Sequence, residues 1–303
     1  MKPLLVIAGP TASGKTSLAI AVARQLEAEI ISADSQQVYR HFDVGTAKPS
    51  RDELAAVPHH LISCVDPLDP DFSAMRWARL ADAAIADIHG RGKRVVIAGG
   101  TGLYLRVLLH GAVEAPSRDE ALRAEWEALA DREGNSALHA RLAAVDPDSA
   151  RRLPEADRVR IIRALEIHAL TGKTATAHHA EHAFAPDRHP YRLVVLNPER
   201  EALYEAINAR TRAMFAQGLV EETRGLVERG YRDAAPMRAV GYLQALQVVD
   251  GTLSLEAAIA DTAQATRHYA KRQFTWFKKE RGALAVKPTE GLKVALDAAT
   301  SAP

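Results

Sequence analysis

The sequence predicts an α/β protein: a P-loop doubly wound parallel sheet flanked by helices, with a mostly helical insertion domain. Three observations indicate this fold. Short apolar, β-branched segments of strand length alternate with segments of helical periodicity. The first such segment leads into a glycine-rich loop that is followed by a helical pattern. More than ninety residues without a strand-like segment then separate the fourth predicted strand from the fifth.

Five segments have the composition of buried parallel strands, and helical patterns separate most of them. The predicted strands are Leu4–Ala8, Glu29–Ala33, His60–Val65, Arg94–Ala98 and Arg192–Leu196. The predicted helices between them include Ser17–Leu26 and Met75–His89. Because the carboxyl ends of parallel strands lie along one edge of a sheet, we expect ligands to bind at that edge.

The long interval between the fourth and fifth strands predicts an inserted domain. From Ser117 to Thr176 the chain is rich in Ala, Leu, Arg and Glu at helical spacing. We therefore expect a discontinuous core domain of residues 1–113 and 186–303, and a helical domain of residues 114–185. His178–His182 has the sequence HHAEH, which differs from the H-E-x-x-H zinc motif, so exposed loop histidines are expected there.

The pattern after Pro198 is helical up to Arg281, and a fraying tail of small residues is expected beyond it. Cys64 is the only cysteine, which excludes an intramolecular disulfide and a cysteine-based zinc site. Its apolar neighbours predict a buried position.

Composition favours an ordinary globular enzyme. The sequence is 47% hydrophobic and 25% charged, with a net charge of +1, which excludes a strongly basic or acidic protein. The first core strand begins at Leu4, and no apolar segment reaches the about twenty residues that cross a membrane. We therefore expect a monomeric cytoplasmic enzyme with no signal peptide and no membrane span.

The clearest functional signal is the loop after the first strand, which fits G-x-x-x-x-G-K-[ST]. Its residues are Gly9, Pro10, Thr11, Ala12, Ser13, Gly14, Lys15 and Thr16. Glycines let backbone N–H groups converge on one anion, and the following helix adds its positive end. Lys15 can reach terminal phosphate oxygens, and the Thr16 hydroxyl can hold Mg²⁺. The loop predicts a diphosphate or triphosphate site with Mg²⁺ as cofactor, without identifying ATP.

Polar residues follow the second strand at the same predicted edge. A carboxylate at Asp34, beside a bound diphosphate, suits either a general base toward an acceptor or an outer ligand of Mg²⁺. The amides of Gln36 and Gln37 can pair with the edge of a base such as adenine. A polar turn that merely closes a strand is the alternative interpretation.

The fourth strand ends in a turn that combines three glycines with Thr101. Gly99, Gly100 and Gly102 allow a ligand to approach the backbone closely, and Thr101 offers a hydroxyl. No acidic residue ends this strand, although nucleotide hydrolases often hold Mg²⁺ with one there. Its absence argues against nucleotide hydrolysis.

A basic segment at residues 267–281 contains six Lys or Arg against one Glu. Helical spacing groups Ala270, Phe274 and Phe277 on a packing face, and Arg267, Lys271 and Lys278 on a solvent face. Such a face suits a nucleic-acid backbone, and a solvated amphipathic helix is the alternative. A second cluster lies in the insertion, at Arg151, Arg152, Arg158, Arg160 and Arg163. Two clusters flanking one phosphate site favour a polynucleotide substrate.

Taken together, these blocks resemble the tRNA dimethylallyltransferases, also called tRNA isopentenyltransferases. The matching blocks are GPTASGKT at 9–16, DSQQVY at 34–39, GTAKP at 45–49, GGTGLY at 99–104, RAVGY at 238–242 and KRQFTWF at 271–277. They follow the order found in that family and span about 270 residues.

The resemblance implies that dimethylallyl diphosphate donates its prenyl group to N6 of the adenosine 3′ of a tRNA anticodon. It implies that Asp34 is the general base, that Thr101 contacts the reacting region and that Arg123 helps to place the tRNA. Lys15 would stabilise the charge of the departing diphosphate. The helical insertion would grip the anticodon stem. The residues it assigns to tRNA binding are Asp34, Ser35, Gln36, Gln37, Thr101, Arg123, Arg158, Val159, Arg160, Ile161, Ile162, Arg238, Ala239, Val240, Gly241, Tyr242, Leu243, Lys271, Arg272, Gln273, Phe274, Thr275, Trp276, Phe277 and Lys278.

Other interpretations of the residues remain open at this point. A small-molecule kinase would use Asp34 as a base toward a hydroxyl and would bind ATP tightly, leaving Gln36, Gln37 and the basic segment without a role. A non-catalytic RNA-binding protein switched by a nucleotide would need an Mg²⁺ carboxylate after the third or fourth strand, where only Asp66 is a candidate. An enzyme that prenylates free AMP is closer, but the long insertion disfavours it.

Overall fold

The computed structural model describes residues 2–111, 119–182 and 187–301, which fall into two compact units. The first unit is Met1–Leu109 with Arg188–Pro303, and the second is His110–Asp187. The domain boundaries expected at 113/114 and 185/186 lie outside the described residues. Where the chain leaves and re-enters the first unit, the Arg188 N–H donates to the Leu109 carbonyl at 2.7 Å.

The first unit is built on a six-stranded parallel sheet. The strands are β1 Leu4–Ala8, β2 Ala28–Ser32, β3 His59–His60, β4 Arg94–Gly99, β5 Tyr191–Leu196 and β6 Ala283–Val286. They are arranged in the order β3-β2-β4-β1-β5-β6. Val6 on the central β1 lies beside Ile97 on one side and Leu193 on the other. All five residues of β1 and of β2 are buried. β1 is accordingly apolar throughout, whereas β2 contains Glu29, whose buried carboxylate pairs with Arg91. The predicted parallel α/β sheet is confirmed.

Helices account for most of the remaining described residues. They are α1 Lys15–Leu26, α2 Arg51–Ala56, α3 Ala74–Gly90, α4 Gly102–His110, α5 Glu120–Glu133, α6 Asn135–Val145, α7 Pro147–Arg152, α8 Arg158–Thr171, α9 Ala175–His182, α10 Arg200–Ala216, α11 Leu219–Glu228, α12 Tyr242–Val249, α13 Leu255–Phe277 and α14 Gly291–Thr300. Short 3-10 turns occur at Ala235–Arg238 and Pro288–Glu290. Within the described residues, none of the helices has the length and apolarity needed to cross a membrane.

The third strand is much shorter than predicted. Only His59–His60 pairs with β2, because Leu61 and Ser63 adopt left-handed backbone angles, with φ of 62° and 51°, that end the strand. Val65 pairs only with Tyr39, in an isolated parallel bridge outside the sheet strands. This irregular path leaves Cys64 exposed, so the prediction of a buried cysteine was wrong.

The C-terminal segment forms two elements that were not predicted. β6 pairs with β5, and α14 packs against the same core as α1, with Val286, Ala295 and Ala298 buried. The expected fraying tail is therefore a packed helix up to Thr300. A strand of four residues and a helix rich in alanine give weak sequence patterns, and both depend on tertiary packing.

The described residues of the second unit are helical, as predicted for the insertion. Leu138, Leu142 and Ile161 form the centre of its core. Glu166 is fully buried and accepts hydrogen bonds from Arg123 Nε at 3.0 Å and from the Asp119 N–H at 2.7 Å. Burial raises the pKa of Glu166, but the bonds from Arg123 and Arg163 outweigh it and bring the pKa to about 2.

The histidine-rich segment lies in α9, so the loop predicted for His178–His182 was wrong. His178 contacts the Thr171 hydroxyl, with Nε2 and Oγ1 3.2 Å apart. Within the described residues, no group of three or more His, Cys, Asp or Glu side chains is placed to hold a metal ion.

Gly99 at the end of β4 sets the spacing between β4 and the end of β2. A Cβ at residue 99 would lie 2.1 Å from the Ala33 carbonyl oxygen. We expect Gly99→Ala to lower the free energy of unfolding by about 2–3 kcal/mol, because the backbone must shift to relieve the overlap. Gly225→Ala is the control, since α11 has open space there and alanine favours helix by up to about 1 kcal/mol. Equal urea midpoints for the two variants would contradict this account of Gly99.

Candidate active site

The Gly9–Thr16 loop joins β1 to α1 and has an unusual backbone. Gly9, Ala12 and Gly14 have φ of 145°, 61° and 88°, in the region that favours glycine. A Cβ at Gly9 would also lie 2.9 Å from the Leu196 carbonyl oxygen. Gly14 precedes α1 without a side-chain hydrogen bond to the first turn, so the N–H groups there are available to an anion.

A cavity of about 90 Å³ opens beside this loop, and two cationic side chains line it. Lys15 Nζ donates to the Pro10 carbonyl at 2.6 Å, and Arg210 NH1 donates to Thr11 Oγ1 at 3.3 Å. Burial and the neighbouring Arg210 lower the pKa of Lys15 to about 7, against a smaller opposing effect of Asp34. Burial also lowers the pKa of Arg210. Two cations crowded in one small cavity fit a compact polyanion such as a diphosphate.

A larger cavity of about 300 Å³ lies next to the small one. Thr11, Asp34, Arg210 and Tyr269 line both cavities. The larger one also has an apolar wall, formed by Ile207, Met214 and Val240. A molecule could therefore place its charged end among Lys15 and Arg210 while its apolar end occupies the larger cavity.

Asp34 presents a carboxylate oxygen to this junction. Its Oδ1 accepts hydrogen bonds from the N–H groups of Gln36 at 2.8 Å and Gln37 at 3.3 Å, which fixes the carboxylate on the turn after β2. From the residues that the structure describes, Oδ2 accepts no hydrogen bond. This oxygen can therefore accept a proton from a molecule in the larger cavity.

Thr101 supports the same turn from the end of β4. Its Oγ1 accepts a hydrogen bond from the Ser35 N–H at 3.0 Å, and it also bonds to the Tyr269 hydroxyl. Burial raises the pKa of Tyr269 to about 12, so this hydroxyl stays protonated. Neither cavity has Thr101 in its wall. In this structure Thr101 orients Ser35 and Tyr269, which themselves line the larger cavity.

The glycines of the 99–102 turn make room for protein neighbours, and Gly99 and Gly100 also line the small cavity. A Cβ at Gly100 would lie 2.3 Å from Gln273 Nε2, and one at Gly102 would lie 2.2 Å from Trp276 Nε1. Gln273 is buried, and its amide donates to the Gly100 carbonyl at 2.9 Å and accepts from the Thr11 N–H at 2.8 Å. The glycines therefore allow α13 to pack against the turn.

Sequence reasoning missed the placement of Arg210 and Tyr269 in the site. Both lie inside helices, far along the chain from the Gly9–Thr16 loop. A signal was available for Arg210, because Ile207 and Met214 are buried at helical spacing on either side of it. A charged residue within an apolar helical face is costly unless it has a partner or a ligand.

The residues expected to bind tRNA in the first unit divide into exposed and buried sets. The side-chain amide of Gln37 is engaged by the protein itself, since it donates to the Ala47 carbonyl at 3.1 Å and accepts from Ser32 Oγ at 3.1 Å. The exposed residues are Arg238, Leu243, Lys271, Arg272, Thr275 and Lys278; the partly exposed ones are Asp34, Ser35, Gln36, Gln37, Thr101, Ala239, Val240, Phe274 and Trp276; the buried ones are Gly241, Tyr242, Gln273 and Phe277. The buried side chains support the surface on which the exposed ones lie.

The corresponding residues of the second unit are engaged within that unit. Ile161 and Ile162 lie in its core, whereas Val159 is exposed. Arg158 NH2 donates to Asp131 Oδ1 at 2.6 Å, Arg160 pairs with Asp157, and both Nε and NH2 of Arg123 bond to Glu166.

The two basic clusters therefore differ in their electrostatics. Each of the five arginines in the basic cluster of the insertion bonds to an acidic or hydroxyl side chain of the second unit. Across the described residues, no ion pair involves Lys271 or Lys278. Uncompensated positive charge is thus found on the exposed face of α13 and just after it.

Comparisons with known proteins show the family that this chain is similar to. The IPP transferase family model matches residues 37–280. A tRNA dimethylallyltransferase of Myxococcus xanthus is 64% identical over 288 residues, covering 95% of this chain and 93% of the relative. The full-length tRNA isopentenylpyrophosphate transferase of Bacillus halodurans is 36% identical with a TM-score of 0.70, covering 97% of this chain and 95% of that one. A eukaryotic dimethylallyltransferase acting on tRNA is 28% identical with a TM-score of 0.79, covering 95% and 74%.

We expect inorganic diphosphate to bind with uptake of a proton at Lys15. Because the pKa of Lys15 is about 7, its amine is mostly neutral at pH 8.5, and a bound anion favours the ammonium form. Affinity should therefore fall by up to about tenfold per pH unit above pH 7.

Calorimetry at pH 8.5 in buffers of different ionisation enthalpy measures this uptake. Lys15→Arg is the control, because arginine stays charged and keeps the positive side chain. The wild-type protein should take up close to one proton more than the variant. Equal uptake by both would exclude Lys15 as the titrating group.

Proposed function

The chain belongs to the IPP transferase family, and we propose that it is a prenyltransferase that transfers a dimethylallyl group to tRNA. The donor is dimethylallyl diphosphate, and the acceptor is N6 of the adenosine on the 3′ side of the anticodon. Diphosphate is the leaving group. Relatives named tRNA dimethylallyltransferase and the solved eukaryotic enzyme acting on tRNA support this activity.

One observation carries the proposal: the cationic cavity and the apolar cavity adjoin, and Asp34 lines both. The diphosphate of the donor would lie with Lys15 and Arg210. The five-carbon chain would then extend toward Ile207 and Met214. This arrangement brings the carbon that is attacked to the junction where Asp34 presents its free oxygen.

The reaction needs three contributions from these side chains. The acceptor base must leave its stack so that N6 can reach the allylic carbon. As the C–N bond forms and the C–O bond breaks, N6 loses a proton, which Asp34 Oδ2 accepts. Lys15 and Arg210 stabilise the negative charge that develops on the departing diphosphate. Since both cations are already in place, little reorganisation is needed at that moment.

We also propose Mg²⁺ as the cofactor, held from the protein side by the Thr16 hydroxyl. Thr16 lines the small cavity and supplies an oxygen donor of the kind that Mg²⁺ prefers. Mg²⁺ in phosphate sites takes only one or two protein ligands beside phosphate oxygens and water, so a single hydroxyl fits the ion. When bound, it would neutralise part of the charge of the diphosphate.

The proposed tRNA partner is the anticodon stem-loop. The exposed Lys271 and Lys278 offer two charges to its backbone, about two helical turns apart. A monomeric state and a cytoplasmic location stay predictions.

The proposal is tested by incubating unmodified tRNA with the protein, dimethylallyl diphosphate and Mg²⁺, followed by mass spectrometry of the digested nucleosides. We expect one adenosine next to the anticodon to gain a dimethylallyl group. ATP added as a competing donor should give no phosphorylated product. Phosphorylation without prenylation would support a kinase instead.

Asp34→Asn should abolish most of the transfer while leaving donor binding intact. The amide can still accept the bonds from Gln36 and Gln37 but cannot take the N6 proton, and losing a general base costs about 10²–10⁴-fold in rate. Asp66→Asn is the matched control, because Asp66 is the other carboxylate near a predicted strand end and lines neither cavity. Single-turnover rates within threefold of wild type for Asp34→Asn would remove Asp34 from the mechanism.

Neutralising Lys271 and Lys278 together should weaken binding of cognate and non-cognate stem-loops by a similar factor. If each contacts a phosphate, the slope of log affinity against log salt should become shallower by about 0.7–0.9 per lysine. Fluorescence anisotropy across a salt series measures this slope for Lys271→Gln/Lys278→Gln. The exposed pair Lys287→Gln/Lys293→Gln makes the same change in net charge and should leave the slope unaltered. Identical slopes for the two variants would refute the phosphate contacts.

A further inference from the structure

The loop at residues 43–48, here called the 43–48 loop, forms part of the wall of the larger cavity without belonging to a helix or strand. Gly45 and Thr46 are its lining residues. Thr46 Oγ1 donates to the Phe42 carbonyl at 2.7 Å, and Lys48 Nζ donates to Asp43 Oδ1 at 2.6 Å. These internal bonds shape the loop, but they do not fix its position in the protein.

The position is fixed by the carboxylate of Glu222, on α11. Its Oε2 accepts hydrogen bonds from the N–H groups of Asp43 at 3.1 Å and Val44 at 2.9 Å. Its Oε1 accepts from the Gly45 N–H at 3.4 Å. Three successive backbone donors thus converge on one carboxylate, an arrangement that favours an anionic acceptor.

Tyr242 completes this contact from α12. Its hydroxyl donates to Glu222 Oε1 and accepts from the Gly45 N–H at 3.1 Å. The ring is fully buried and meets Phe42 edge-on, with centroids 4.9 Å apart. It lies so close to the loop that a Cβ at residue 45 would be 2.4 Å from the ring. Glycine at 45 is therefore required for the loop to seat on Tyr242.

This contact joins two walls of the larger cavity. The 43–48 loop supplies Gly45 and Thr46, and the segment just before Tyr242 supplies Arg238, Ala239 and Val240. Glu222 itself does not line the cavity, yet it bonds to the 43–48 loop and to Tyr242, which lies two residues after the second wall segment. The loop is also bonded to the Asp34 turn, because the Gln37 amide donates to the Ala47 carbonyl.

We propose that Glu222 is a positioning residue that, through Tyr242 and the three N–H groups, fixes the acceptor side of the larger cavity. The inference rests on the proposed function, in which N6 of the acceptor reaches the allylic carbon beside Asp34, where this cavity meets the small one. A carboxylate suits this task because it only accepts hydrogen bonds, and it meets three N–H groups and one hydroxyl here. Glutamine would turn an amide N–H₂ toward donors and leave some of them unpaired.

Glu222→Gln tests the proposal against Glu221→Gln, an exposed neighbour that loses the same charge from the first turn of α11. We expect Glu222→Gln to lower kcat/KM for the anticodon stem-loop by about tenfold or more when the rate is expressed per donor-binding site. The affinity for dimethylallyl diphosphate should stay within about twofold, since Lys15 and Arg210 are untouched. A purely structural role would reduce the number of donor sites and leave the rate per site unchanged, which would overturn the proposal.

Tyr242→Phe provides a second, milder variant, because it removes only the hydroxyl. It should shift the same ratio in the same direction, and its effect should not add fully to that of Glu222→Gln, since both break one network. Full additivity of the two losses would contradict a shared contact.

Hydrogen exchange measured by mass spectrometry separates a failure of this inference from a failure of the proposed function. Exchange at the amides of residues 43–45 should accelerate about tenfold or more in Glu222→Gln and stay unchanged in Glu221→Gln. This readout needs no turnover. If the wild-type protein fails to prenylate tRNA, the proposed function fails. Unaltered exchange in Glu222→Gln would instead refute the positioning role of Glu222.

Discussion

The buried side-chain amide of Gln273 is the contact on which the site depends. It bonds at one end to the N–H of Thr11 and at the other to the carbonyl of Gly100, so one residue of α13 ties together the loops that follow β1 and β4. Both of its polar groups are paired, which is what a buried amide requires. Because the same helix exposes Lys271 and is followed directly by the exposed Lys278, one element both carries the basic surface and holds the Gly9–Thr16 loop.

The charges of the site are arranged before any ligand arrives. Lys15 and Arg210 lie together where burial disfavours both cations, and Asp34 only partly compensates them. This unfavourable arrangement is offset when a polyanion binds between them. The apolar wall of Ile207, Met214 and Val240 lies beside these charges, and in the proposed reaction a five-carbon chain packed against it would keep water from the allylic carbon.

Some of this organisation could be predicted from the sequence, because local patterns determine it. The spacing of Gly9, Gly14 and Lys15 identified a loop whose backbone geometry the structure then showed, and the apolar run at Leu4–Ala8 identified the central strand. The roles of Arg210 and Gln273 depend on contacts between distant parts of the chain, which no local pattern reports. The glycines at 99–102 show the difference: the sequence indicated a close approach there, but the atoms that require it belong to Ala33 at Gly99 and to α13 at Gly100 and Gly102. The assignment of individual residues to tRNA binding stays a prediction.

The hydrogen bond between Arg188 and Leu109 holds together the two points of the first unit between which the second unit is inserted. Because these two points are neighbours, the 78 residues of the second unit form an insertion whose ends are held close together by the first unit. Once the insertion has folded and its ends are held together, the flexible connection between β4 and β5 is short. A short connection lowers the loop-closure entropy that must be lost when both strands pair with β1. An insertion whose two ends are adjacent can also be lengthened, exchanged or acquired late in evolution without disturbing the sheet.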